Sequence, residues 1–205
     1  MGRPRTPLLD RAVIGRAALR LADQEGSLTI PGLARSLGVA PSALYHHVTG
    51  RDEIIALMRE ELLRETDMEE PYSGTWEQVL DQWARAYLNG FAAHPGAVPV
   101  LAVAPLSETF MHTVYDNVAR SLSDAGFPLP QVMPLITALE SFVLGSALDL
   151  VAPAVMLSKV DHDSAPYLSA ALDGTAGGEQ RATQAFETGL RAMLKGFAAV
   201  LDERP

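Results

Sequence analysis

The chain has no cysteine in its 205 residues. That excludes a disulfide scaffold, a Cys-ligated zinc or iron–sulfur site, and a thiol nucleophile. It is also poor in lysine, since 14 of its 16 basic residues are arginine. Long unbroken apolar runs are missing. Proline interrupts the longest stretches, as in Val98-Pro99-Val100-Leu101-Ala102-Val103-Ala104-Pro105, and none approaches the ~18 apolar residues of a membrane span. The basic start leads into no apolar segment, so no secretory signal is expected. These absences read as a cytoplasmic protein with no membrane partner. A Gly-rich phosphate loop and a nucleophile motif are absent too, so no enzyme is expected.

Positive charge is scarce overall, the net charge being −9, which read globally argues against nucleic acid. Its distribution argues otherwise. Residues 1–51 hold seven arginines against three acids, a balance of +4 that leaves −13 on the rest. A basic head on an acidic body suits a head that meets a polyanion, although charge asymmetry alone also arises by chance.

At 48% hydrophobic, the chain can bury a substantial core in one domain or two small ones. Nearly every segment has helical periodicity. Apolar residues recur every 3–4 positions in 9–25, with Asp10 placed to cap the start and Gly26 the end. Helices are expected at 29–37, 41–48, 51–65, 76–93, 107–125, 129–151 and 179–201, with a proline-punctuated segment at 97–105 and a loop at 152–178. The class is all-α: a small helix-turn-helix domain at 1–52, helix four (about 51–65) connecting, and a larger helical domain at 66–205.

The most informative stretch is 28–48. Two short helices meet across a turn at Gly38, where φ > 0 is needed. Ile30, Leu33, Leu37, Val39, Leu44 and Val48 can form a small core with Leu21 and Ile55. The second helix then presents Ser42, Ala43, Tyr45, His46 and His47 outward, as a recognition helix does in a major groove.

This head resembles the DNA-binding domain of TetR-family transcriptional regulators. The residues that carry the resemblance are Ala18, Gly26, Thr29-Ile30, Leu33-Ala34, Leu37-Gly38-Val39, Ala43-Leu44-Tyr45-His46-His47-Val48, Arg51 and Leu57. His94-Pro95-Gly96, Asp124-Ala125-Gly126-Phe127 and Phe142-Val143-Leu144-Gly145 resemble the body of the tetracycline-repressor subgroup. The resemblance implies a homodimer on a palindromic double-stranded operator, mostly acting as a repressor, released when a small molecule fills the larger domain.

Several head residues acquire expected roles. Tyr45 and Thr29 offer hydroxyls to phosphate, Thr29 also capping its helix. Arg51 stands where relatives often hold a phosphate-binding lysine, and is otherwise a surface arginine. Arg3 and Arg5 could enter the minor groove, track phosphates or do neither. Base readout is expected from Pro41, Ser42, Ala43, His46 and His47. Adjacent helical residues point about 100° apart, so His46 and His47 are not expected to chelate a metal. Pro31 stands where several relatives carry a base-reading arginine, so the operator cannot be copied from a relative.

In the body, the resemblance implies a two-fold interface at Leu135, Val143 and Leu150 on one helix and Phe186, Leu190, Met193, Phe197 and Leu201 on the last, packing within the chain being the alternative. The expected cavity wall is Trp83, Tyr87, Phe91, Val100, Leu101, Val103, Met111, Val114, Val118, Leu139 and Phe142, with His112 and Ser146 as polar members. That wall suits a small apolar or aromatic ligand bound without metal or cofactor. Tetracycline–magnesium is not expected, because the relatives' metal-binding histidine and drug-binding asparagine fall near Val100 and Trp83. Two polar clusters, Asp161-His162-Asp163 and Glu108/His112/Asp116, are read as solvated surfaces, a metal site being the alternative for the second. A DNA-binding dimer with no small-molecule inducer remains the alternative function.

Overall fold

The structure, a computed structural model, describes residues 9–65, 72–106, 109–155, 157, 160, 162–175 and 177–202, with the backbone alone at 109 and 110. Arg3, Arg5, Glu108 and Asp161 therefore lie outside the described residues. Among those described there is no strand. Ten α-helices follow in order: α1 (Arg11–Glu25), α2 (Ile30–Leu37), α3 (Pro41–Leu44), α4 (Arg51–Arg64), α5 (Trp76–Ala93), α6 (Val98–Leu101), α7 (Thr109–Ala125), α8 (Leu129–Leu150), α9 (Pro166–Leu172) and α10 (Gly178–Asp202), with a 3-10 turn (Pro95–Ala97) before α6.

Local chemistry sets the boundaries. The Asp10 carboxylate accepts from the Val13 amide at 2.7 Å and starts α1. Thr29 Oγ1 accepts from the Gly32 amide at 3.1 Å and starts α2. Gly38 ends α2 at φ 68°, the left-handed geometry that a side chain would strain. Thr75 and Gln78 form a reciprocal capping box at the start of α5.

The third helix is shorter than the expected 41–48. The amides of His46 and His47 donate to the carbonyls of Ala43 and Leu44. These three-residue spacings wind the segment into tight turns after Leu44. The helical spacing of Leu44 and Val48 survives, and both are buried, which is why periodicity alone overextended the helix.

One continuous core runs through the chain. α4 packs against α1, and its Ile54, Ile55, Leu57, Met58, Leu62 and Leu63 are all buried. It is thus a core element shared by the amino-terminal helices and the body. α8 is long and apolar enough to cross a membrane by length and composition, which the count of unbroken apolar runs did not register. It packs against α5, α7 and α10 and buries Val132, Leu135, Ile136, Leu139, Val143 and Ala147, so it serves here as a core helix. Ion pairs tie the bundle: Arg181 to Asp149 at 2.9 Å joins α10 to α8, and Arg85 to Glu187 joins α5 to α10. The bonds to Glu187 and then Asp81 raise the pKa of Arg85 still further.

Candidate nucleic-acid interface and internal cavity

The amino-terminal surface and its support divide cleanly. Leu21, Leu33, Leu44, Val48 and Ile55 are buried beneath α2 and α3, with Ile30, Leu37 and Val39 packed at the margin. Above them Pro41, Ser42, Tyr45 and His46 are exposed, and Ala43 and His47 half-buried. Tyr45 is 55% exposed, so its phenol is not packed under the helix. Thr29 and Arg51 are exposed on the same part of the chain. The turn after α3 is held from below. Arg11 donates to the His47 carbonyl at 3.1 Å and pairs with Glu53. Glu53 also accepts from the Thr49 amide at 2.6 Å and hydroxyl at 2.8 Å. The Arg11 guanidinium, then these Thr49 bonds, hold the Glu53 carboxyl at about 2.

Behind this surface, where α4 meets α5 to α8, lies a cavity of about 150 Å³. Of the expected wall, Tyr87, Phe91, Leu101 and Met111 border it, joined by Arg59, Leu62, Leu63, Ala102, Ala104, Leu106 and Glu140. Trp83, Val100, Val118 and Leu139 are buried in the surrounding core. Val103 is 78% exposed and His112 is exposed. Both correct the expected wall: the chain leaves helical geometry after α6, turning Val103 outward. Val114 is partly buried, Ser146 donates to the Phe142 carbonyl of its own helix at 2.9 Å, and the Phe142 ring stacks on Phe186 at 5.6 Å.

Sequence reasoning missed the cavity's two charged residues. Arg59, buried on α4, donates to the carbonyls of Leu101, Ala104 and Pro105 at 3.0, 2.7 and 2.8 Å. It therefore satisfies acceptors that the end of α6 leaves open. Glu140 Oε1, on α8, accepts from the hydroxyls of Tyr87 at 2.6 Å and Tyr115 at 2.7 Å. Burial first, then the nearby negative charge, pushes both tyrosine pKa values up, so both remain donors. The wall is more polar than expected, with one acid and one guanidinium among the described residues that line it.

A second contact joins α1 and α4 to the body. His94, at the end of α5, meets Asp23 at 2.5 Å through Nδ1 and Glu65 at 2.7 Å through Nε2. Both ring nitrogens face carboxylates, so both must carry protons to donate. Partial burial, the largest influence, pulls the His94 pKa down, but the bonds to Asp23 and Glu65 and their charges outweigh it, and the pKa is raised. Two residues on, a Cβ at Gly96 would run into the Asp23 backbone.

The interface residues expected on α8 and α10 divide as well. Leu135, Val143, Phe186, Leu190 and Phe197 are all buried within the chain itself. Leu150, Met193 and Leu201 are only partly covered. The apolar side chains left exposed are others, including Met133 and Leu148 of α8 and Val200 of α10. An apolar stripe does not reveal which neighbour covers it, and here each helix covers the other.

Comparison with known proteins gives this arrangement a family. Residues 69–201 match the model described as Tetracyclin repressor-like, C-terminal domain. The chain is 29% identical over 193 residues to the tetracycline repressor protein class E of Escherichia coli, covering 91% of this chain and 90% of that protein. It is 28% identical over 145 residues to the HTH-type transcriptional repressor DrrR1 of Streptomyces coeruleorubidus, spanning 69% of this chain and about half (53%) of that relative. Among solved structures, apo ActR from Streptomyces coelicolor matches with a TM-score of 0.75 at 25% identity, over 95% of this chain and 97% of that one. A TetR variant from Acinetobacter baumannii in complex with minocycline matches in fold with a TM-score of 0.67 at 22% identity, over 95% and 99%. The chain belongs to the TetR family of transcriptional regulators.

Proposed function

We propose that this regulator binds a palindromic double-stranded operator as a cytoplasmic homodimer, represses transcription there, and leaves when a small, largely apolar or aromatic molecule fills the cavity. The observation that carries the reading is the division of α4. One end of that helix follows the exposed α3 segment, and the other borders the cavity, where Arg59 grips the end of α6. Ser42 and His46 read base edges, with Pro41, Ala43 and His47 beside them; Tyr45, Thr29 and Arg51 hold phosphates. Arg3 and Arg5 would add to the backbone contacts.

Dimerisation uses the outer faces of α8 and α10, where Met133, Leu148 and Val200 are exposed and Leu150, Met193 and Leu201 are only partly covered. A ligand releases DNA only through its different affinity for the two states, of order 1–3 kcal/mol. Selection from random duplexes tests the DNA reading: a palindromic motif supports it, and the absence of enrichment removes it. Sedimentation of the full chain tests the dimer, with Leu148→Glu expected to shift it toward monomer.

A further inference from the structure

We propose that the cavity selects neutral aromatic ligands that donate a hydrogen bond, a phenolic hydroxyl or a ring N–H, and that Glu140 is the group that reads the donor. The proposal rests on the cavity being the ligand site named above.

Glu140 sits in the middle of the apolar helix α8. Its Oε1 is occupied by two tyrosine hydroxyls. Its Oε2 has no hydrogen bond or ion pair among the described residues. Nor is Oε2 one of the sealed, unpartnered polar atoms among the described residues, which are Asp23 Oδ1, Trp83 Nε1, Asn117 Oδ1 and Arg181 Nε. Oε2 is thus reachable from open space, and the space Glu140 borders is the cavity. Tyr87 and Tyr115 already donate their protons to Oε1, so they fix the carboxylate in place. They are positioning residues and offer a ligand no donor of their own.

The rest of the wall sets the body of the ligand. Leu62, Leu63, Phe91, Leu101 and Met111 make it apolar, and about 150 Å³ accommodates a single aromatic ring. Among the described residues one carboxylate and one guanidinium border the space, so a neutral molecule adds no charge to a balanced pair.

The test compares phenol with toluene, two molecules of nearly the same shape, titrated into the full chain without DNA by calorimetry or NMR. A purely apolar cavity favours toluene, because phenol gives up its bonds to water. With Oε2 as acceptor, phenol is expected to bind about tenfold more tightly or better. Glu140→Gln keeps the shape and an acceptor for the tyrosines, and is expected to abolish the preference for phenol. Toluene binding as well as phenol, neither molecule binding, or Glu140→Gln retaining the preference would each overturn the proposal. The wild-type comparison decides even where the variant fails to fold. A phenol preference with unchanged operator affinity would sustain this proposal while removing ligand-triggered release. Operator binding with no bound aromatic would do the reverse for the donor proposal, leaving DNA binding intact.

Discussion

The two ends of α4 lead to opposite kinds of functional surface. At the amino-terminal end, the side chains proposed to touch DNA contribute little to folding: Ser42, Tyr45 and His46 are exposed, while Leu33 and Leu44 beneath them are fully buried. At the other end the groups available to a ligand are also structural. Arg59 satisfies three carbonyls and Glu140 holds two tyrosines. On this proposal, recognition can be altered without loss of stability on the α3 surface, whereas in the cavity the two change together.

The largest expected effect separates the layers of the amino-terminal region. Leu44→Ala, at a fully buried site, should cost about 3 kcal/mol in urea unfolding and abolish DNA binding with it. Ser42→Ala, two residues away, should change stability by less than about 0.5 kcal/mol. A comparable loss in both would break the division. Arg59→Met should cost about 2 kcal/mol, since it leaves the end of α6 with unmet carbonyls. It should also change the operator affinity of the ligand-free protein, which a merely local defect would not.

Smaller effects sharpen the amino-terminal side of the comparison. Tyr45→Phe should weaken binding by about 1 kcal/mol on every duplex sequence, with no change in the preferred motif. Arg51→Ala should reduce the slope of log affinity against log salt by about 1, as expected for the loss of one phosphate contact. An unchanged slope would return Arg51 to an ordinary surface role.

The smallest effect tests the join between the two regions. The folded-state pKa of His94 is raised, so its contribution is fully present below the ordinary histidine value of about 6.5 and is lost as pH rises through the raised one. The melting temperature followed from about pH 6 to about pH 9 should show that loss, and Asp23→Asn should flatten it. A profile identical in the variant would detach His94 from the stability of the join.

What was legible in the sequence divides along similar lines. The caps at Asp10, Thr29 and Gly38 are encoded by neighbours three to four residues away, so composition and spacing reveal them. The same locality exposes the outward residues of α3 and the turn after it. The polar pairs of the cavity and of the join between α1 and the body depend on partners far along the chain: Tyr87 and Glu140 are 53 residues apart, and His94 and Asp23 are 71 apart. Nothing in the spacing of those residues announces the pairing. Helical periodicity identified apolar faces on α8 and α10 but not their partners, and the chain itself buries Val143 and Leu190.

The central claim, that exposed side chains of α3 and the turn after it read bases while α4 carries the state of the cavity to them, meets its most direct test at His46. Parallel duplex selections with the wild-type chain and His46→Ala should return motifs with the same palindromic half-site spacing and a changed preference at one symmetric pair of positions. Identical motifs from both proteins, or none from the wild type, would contradict it.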